Sequence, residues 1–139
     1  MKSHVELVQT TFRAAVPEAD RLSLIFYRRL FAMAPACREL FPEDMQLQRQ
    51  KLVQALGFIV DNLAEPGAFS PQLRNMGIRH AAYGVQLEHY AVVRVALIES
   101  LAEIFGSAFD DSTRSAWTFA YDQIERVMLE GHALAVELA

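Results

Sequence analysis

Histidines are the side chains of this sequence best able to hold a metal, and position separates the four of them. His4 lies near the first residue and His132 near the last. His89 directly precedes Tyr90, and because neighbours in a helix point about 100° apart, an inward Tyr90 would turn His89 towards the rim. His80 lies on the inner face of a predicted helix of its own. It is therefore the candidate ligand, and a hydrogen-bonded core histidine is the alternative.

Two polar residues, Tyr27 and Gln48, lie on helix faces that otherwise carry leucine, phenylalanine and isoleucine. A buried polar group without a partner costs about 1 to 3 kcal/mol. Two such groups facing one apolar cavity therefore indicate that a molecule binds there. The alternative is that either residue is exposed at the edge of its apolar stripe.

The composition excludes several classes of protein. A length of 139 residues suits one core, and we expect a single domain over residues 1–139. The net charge is -4 and no run of lysine or arginine occurs, so nucleic acid is not an expected partner. Cys37 is the only cysteine, which excludes an internal disulfide and a cysteine-built zinc or iron-sulfur site.

The apolar fraction is high for a helical protein of this size. Hydrophobic residues make up 53% of the chain, which exceeds what a helical bundle needs to bury its own inner faces, so something extra is expected inside. The apolar stretches are too short for a membrane span, and the first residues lack the hydrophobic region of a signal peptide. We therefore expect a cytoplasmic protein without a membrane partner.

Prolines and glycines divide the chain into segments with helical periodicity, and none alternates as a strand would. The expected fold class is all-α. The predicted helices cover residues 3–16, 19–33, 44–63, 70–83, 87–105 and 112–138. Asp44 is the expected cap of the third helix, and Ser70 with Pro71 predicts the start of the fourth.

An ordered set of residues across nearly the whole chain resembles the bacterial single-domain globins related to the haem domain of flavohaemoglobins. The spacings agree too: 8 from Tyr27 to Pro35, 14 from Tyr27 to Phe41 and 10 from His80 to Tyr90. The matching residues are Phe26, Tyr27, Leu30, Phe31, Pro35, Leu40, Phe41, Asp44, Met45, Gln48, Lys51, Leu52, His80, Tyr83, Gly84, Val85, His89, Tyr90, Ala116, Trp117, Ala120 and Tyr121.

The resemblance implies a globin fold, a three-over-three helical sandwich around haem b. His80 would be the axial ligand of the haem iron, since imidazole suits that metal. Phe41 would pack flat against the porphyrin, and Leu52 and Val85 would line its apolar walls. Lys51 would reach outward to a haem propionate.

On the distal side, the resemblance implies that Tyr27 and Gln48 donate hydrogen bonds to bound dioxygen and slow its release. Gln48 follows Phe41 by 7 positions, where the family usually has ten. Gln46 and Gln50 have the wrong helical phase relative to Leu52. Gln48 is therefore the expected distal amide.

On the proximal side, flavohaemoglobins hold the histidine with a tyrosine and a glutamate. Tyr90 matches the tyrosine, whereas His132 occupies the position of the glutamate. Glu130 is turned by about 200° from His132 on the same helix, so the two cannot point the same way. We therefore expect the carboxylate to be missing and haem binding to be unaffected.

Three functions follow from these residues. The first is reversible binding of dioxygen and other diatomic gases by a monomer or weak homodimer. The second is nitric oxide dioxygenase activity with an external reductase, because the sequence has no flavin or nicotinamide domain and no glycine-rich phosphate loop. The third is a haem-free helical regulatory module.

Overall fold

The computed structural model describes residues 2–138, and most of them are helical. The α-helices are α1 (His4–Ala15), α2 (Ala19–Met33), α3 (Gln46–Asp61), α4 (Pro66–Ala82), α5 (Leu87–Phe105) and α6 (Asp111–Leu138). Shorter 3₁₀ turns cover Val16–Glu18, Pro35–Leu40 and Gly106–Ala108. Since residues 2–138 contain no strand, the expected all-α class is confirmed.

The predicted start of the fourth helix is wrong. α4 begins at Pro66, and Pro71 lies inside it. Proline suits the first helical position because its missing N–H would have no partner there. Pro66 occupies this position, about one turn before the Ser70 and Pro71 pair. The local sequence of that pair is equally typical of a helix start.

The ends of α3 also differ from the prediction of residues 44–63. The helix begins at Gln46 and ends at Asp61. The carboxylate of Asp44 accepts a 3.0 Å hydrogen bond from the backbone N–H of Gln46, so it satisfies a donor of the first turn from just outside the helix.

The turn between α2 and α3 is held by one arginine. The guanidinium of Arg38 donates to the backbone carbonyls of Phe41, Pro42 and Glu43 at 3.3, 2.8 and 2.9 Å. It also lies 5.3 Å from the ring centroid of Phe31. These contacts hold the backbone of the turn that carries Phe41.

Two groups of buried side chains form the core. The larger group joins α1, α2, α3, α5 and α6 and contains the fully buried Val8, Leu22 and Leu101. The smaller group joins α3 to α6 and consists of Ile59, Phe69, Leu73, Tyr90 and Met128. Within residues 2–138, no helix is both long enough and apolar enough to cross a bilayer.

The backbones of α4 and α6 touch at two glycines. A Cβ atom on Gly77 or on Gly131 would collide with a backbone carbonyl of the facing helix. Only glycine permits so close an approach. Because His80 follows Gly77 by three residues and His132 directly follows Gly131, this contact fixes the two histidines on facing helices.

Candidate functional site

An apolar cavity opens between α3, α4, α5 and α6. Its volume is about 160 Å³, and it is partly open to solvent. Its wall includes Leu52, Leu56, Ile59, Met76, His80, Val85, His89, Tyr90, Val93, Leu97, Trp117, Tyr121, Ile124, Glu125 and Met128. Because most of these side chains are aliphatic or aromatic, the cavity suits a mainly apolar ligand.

His80 presents one free ring nitrogen. Its Nδ1 lies 2.5 Å from the backbone carbonyl oxygen of Met76. A carbonyl can only accept, so Nδ1 carries the hydrogen and Nε2 keeps its lone pair. Burial is the main cause that lowers the pKa of His80, which favours the neutral imidazole. The neutral ring is the form that binds a metal.

Tyr90 lines the cavity with His80, and His132 contacts Tyr90. The ring centroids of Tyr90 and His80 are 6.5 Å apart, and the Tyr90 hydroxyl lies 3.3 Å from Nδ1 of His132. His132 is 6% exposed, whereas Glu130 is exposed and pairs with Arg74 at 3.6 Å. The structure therefore places His132, and not Glu130, against Tyr90.

Tyr27 of α2 and Gln48 of α3 contact each other. The amide nitrogen of Gln48 donates a 3.1 Å hydrogen bond to the hydroxyl oxygen of Tyr27. Burial raises the pKa of Tyr27, so its phenol stays protonated. The rings of Phe26, Phe31 and Phe41 surround it, with centroids 4.9, 5.8 and 5.5 Å away.

The residues predicted for the site fall into two groups in the structure. Those that line the cavity are His80, Leu52, Val85 and Tyr90. Those that contact one another outside its lining are Tyr27, Gln48 and Phe41. Lys51 is exposed and belongs to neither group.

The two groups adjoin one another. Gln48 precedes Leu52 by one helical turn on α3, so their side chains share a face. Phe26, whose ring touches Tyr27, is itself part of the cavity wall. The Tyr27 and Gln48 pair therefore lies next to the wall of the cavity.

His89 is a cavity residue that the sequence places only at the rim. Its Nδ1 accepts a 2.9 Å hydrogen bond from the backbone N–H of Gln86, within a capping box at the start of α5. Nε2 therefore carries the ring hydrogen in the neutral form and is available as a donor. The signal in the sequence is the spacing of three residues between Gln86 and His89, which suits such a box.

Glu125 is the second cavity residue that sequence reasoning misses. Its carboxylate accepts from Arg94 at 2.8 Å, and Arg94 also pairs with Asp122 at 2.6 Å. Its negative charge contributes to raising the pKa of Tyr90, after burial. Nothing in the local sequence distinguishes Glu125 from the other acidic residues of α6.

The chain matches known proteins over most of its length. The sequence model of the family described as Globin matches residues 24–128. A flavohemoprotein of Bordetella parapertussis is 29% identical over 126 residues, which is 88% of this chain and 31% of that protein. The chain thus spans about a third of the length of the curated flavohemoproteins that it matches.

Two solved structures have a similar fold. A bacterial globin from Campylobacter jejuni superposes with a TM-score of 0.86 at 20% identity, over 99% of each chain. An engineered carbene transferase, derived from a candidate nitric oxide dioxygenase of Rhodothermus marinus, gives 0.75 at 30% identity over 96% of this chain and 98% of that chain. The expected globin fold is confirmed, and the chain belongs to the globin family.

Proposed function

We propose that the protein is a haem-binding globin that binds dioxygen reversibly, with His80 as the ligand of the haem iron. The observation that carries this proposal is the free Nε2 of His80 in the wall of an apolar cavity. Imidazole is the axial ligand of globins, and the hydrogen bond from Nδ1 to Met76 fixes the tautomer that such a ligand needs.

The residues around the cavity fit a porphyrin. Within residues 2–138 no cluster of three or more His, Cys, Asp or Glu side chains could hold a bare ion, so a metal with ligands of its own suits His80 best. The Nε2 hydrogen of His89 is a donor for a haem carboxylate, and Lys51 is a candidate for the other. Haem b is the expected form because one cysteine cannot make the two thioether links of a c-type haem.

Tyr27 and Gln48 supply the distal hydrogen bonds in this proposal. Because Gln48 donates to the hydroxyl oxygen of Tyr27, the phenol keeps its own proton for a ligand opposite His80. A haem held by His80 would supply an iron able to bind a diatomic gas, and the phenol would donate to that gas. A hydrogen bond to a charged acceptor contributes about 1.5 to 3 kcal/mol, which slows release of the gas. Phe41 would keep the Tyr27 ring in place.

A nitric oxide dioxygenase is the second candidate function. The structure from Rhodothermus marinus, 30% identical to this chain, is that of an engineered variant of a candidate nitric oxide dioxygenase. The same residues would serve both roles. The enzyme would need electrons from a reductase, which is the partner proposed for this role. Dioxygen, nitric oxide and carbon monoxide are the small ligands expected for either role.

Hemin titration tests the proposal. Purified protein should give one Soret band that saturates at one hemin per chain and shifts when carbon monoxide is added to the reduced form. The reduced protein in air should give an oxygenated spectrum that reverts when the gas is removed. The His4→Ala variant should bind hemin like the unsubstituted protein, because His4 is not part of the cavity wall. Its ring packs on Phe119, with the two ring centroids 4.4 Å apart.

Two outcomes change the conclusion. A protein without a Soret band contradicts haem binding and leaves the haem-free regulatory module. Sustained consumption of nitric oxide by the oxygenated protein with a flavin reductase supports the dioxygenase. A single turnover followed by a stable ferric protein supports reversible binding.

A further inference from the structure

The wall of the cavity includes residues of both core groups. Tyr90 and Met128 belong to the smaller group, and Met76 and Val85 pack against it. The wall residues of the larger group that are at most 4% exposed are Val8, Phe26, Val60, Leu63, Trp117 and Ala120. We call these six residues the closed end of the cavity, because almost none of their surface reaches solvent.

Trp117 brings an unpaired hydrogen-bond donor to the closed end. Its indole Nε1 is buried and has no hydrogen-bond partner within residues 2–138. Arg29 and Arg94 also carry an unpaired buried nitrogen, but neither residue belongs to the cavity wall. An indole nitrogen can only donate. Because buried polar groups in folded proteins are nearly always paired, this donor indicates an acceptor that the described part of the chain does not supply.

The side chains around the indole indicate the chemistry of that acceptor. The other five residues of the closed end are valine, leucine, alanine and phenylalanine, so its side chains offer a single polar group. A buried water molecule needs about two to four polar partners. The closed end therefore suits an apolar molecule with one acceptor better than it suits water.

The volume limits the size of such a molecule. An apolar cavity of about 150 Å³ stays dry and binds benzene. The whole cavity of this protein has a volume of about 160 Å³, and the closed end is only a part of it. Its occupant is therefore smaller than benzene.

We propose that the closed end binds a small, mainly apolar molecule with one hydrogen-bond acceptor, and that the indole N–H of Trp117 donates to it. Short-chain ketones and aldehydes belong to this class, because a carbonyl oxygen accepts and the alkyl groups match the aliphatic wall. The site goes beyond the proposed function. The residues proposed to hold the haem, which include His80, Val85 and His89, are not part of the closed end.

Acetone and isobutene are the matched probes for this site. They have the same shape and differ in a carbonyl oxygen in place of a methylene group. Trp117 is the only tryptophan of the sequence, so its indole N–H gives a single cross-peak in a proton–nitrogen correlation spectrum. In the purified protein, with and without hemin and carbon monoxide, acetone should move the indole proton downfield until the site saturates. Isobutene, which cannot accept, should not produce this shift.

Removal of the donor is the second test. Trp117→Phe keeps an aromatic ring but loses the N–H, and it should weaken acetone binding about fivefold relative to isobutene, the effect of one neutral hydrogen bond. Isobutene corrects for the altered size of the site, and saturation-transfer spectra of the probes give both affinities. Phe119→Leu is the matched control, because Phe119 is 49% exposed on the same helix and lies outside the cavity wall.

The outcomes separate this proposal from haem binding. Equal indole shifts with the two probes would overturn it, as would equal weakening of both probes in Trp117→Phe. Displacement of acetone by hemin would overturn it too, because the two sites would then be one. If Trp117→Phe does not fold, the two indole shifts in the unsubstituted protein decide. A protein without a Soret band would overturn the proposed function alone, and the shifts measured without hemin would still test this site.

Discussion

The amide of Gln48 donates a hydrogen bond of 3.1 Å to the hydroxyl oxygen of Tyr27. This direction matters because it occupies a lone pair of the phenol and leaves its proton free. Burial raises the pKa of Tyr27, so that proton is retained near neutral pH. A buried tyrosine with a free proton is a donor for an anionic or polar ligand. The distal part of the proposed function depends on this donor.

Tyr27→Phe should speed dioxygen dissociation about tenfold or more. The variant keeps the ring among its aromatic neighbours and removes one donor, whose hydrogen bond to a charged acceptor contributes about 1.5 to 3 kcal/mol. Stopped-flow displacement of dioxygen by carbon monoxide measures the rate. Tyr83→Phe is the control, since Tyr83 is 69% exposed. An unchanged rate in Tyr27→Phe would show that the phenol does not reach the ligand.

Gln48→Leu should also speed dioxygen dissociation, but less than Tyr27→Phe. The substitution removes the amide that orients the phenol and leaves the phenol itself. Because both residues act on the ligand together, the double variant should be little faster than Tyr27→Phe alone. Gln50→Leu, at an exposed position of the same helix, is the matched control. Strictly additive effects would mean that the two side chains act independently.

Gly131→Ala should destabilise the fold by about 1 to 3 kcal/mol, the usual cost of overpacking. The added methyl group would collide with the carbonyl of Arg74 and force α4 and α6 apart. Gly67→Ala is the control, because a Cβ there meets nothing within 4 Å and should be neutral or stabilising. Urea unfolding followed by circular dichroism measures both. Equal stability of the two variants would show that the helix contact can relax at no cost.

The haem-free protein should lose stability as the pH falls below about 6.5, the usual pKa of histidine. Burial lowers the pKa of His80 in the folded state, so the unfolded chain binds the proton more readily. The stability contributed by neutral His80 is complete above the unfolded value and declines as the pH drops from there towards the lowered folded value. His80→Gln should show a weaker decline than the unsubstituted protein in urea midpoints between about pH 7.5 and 5.5. Identical declines would contradict this role of His80.

Local signals in the sequence account for much of the fold. Residues 19–33 and 87–105 are predicted as helices and match α2 and α5. Proline and glycine mark these ends, and Gly84 and Gly106 adopt positive φ values of 96° and 55°. The start of α4 is missed because the Ser70 and Pro71 pair carries the same local signature as a true helix start.

Helical phase predicts part of the site. His80 and Leu52 lie on the faces expected of them, since periodicity alone sets the direction of a side chain on a helix. The hydrogen bond from His80 to Met76, the tautomer of His89 and the pairing of Tyr90 with His132 require three-dimensional structure. Each depends on how close two backbones or two rings come, which no spacing in the sequence gives.

Chemical rescue of His80→Gly is the most direct test of the central claim. Removing the imidazole should abolish the spectrum of five-coordinate ferrous haem, and added imidazole should restore it by entering the space that the side chain leaves. The same imidazole should not be needed by the unsubstituted protein. The ferrous spectrum should return with rising imidazole concentration. A His80→Gly variant with an unchanged ferrous spectrum and no response to imidazole would contradict it.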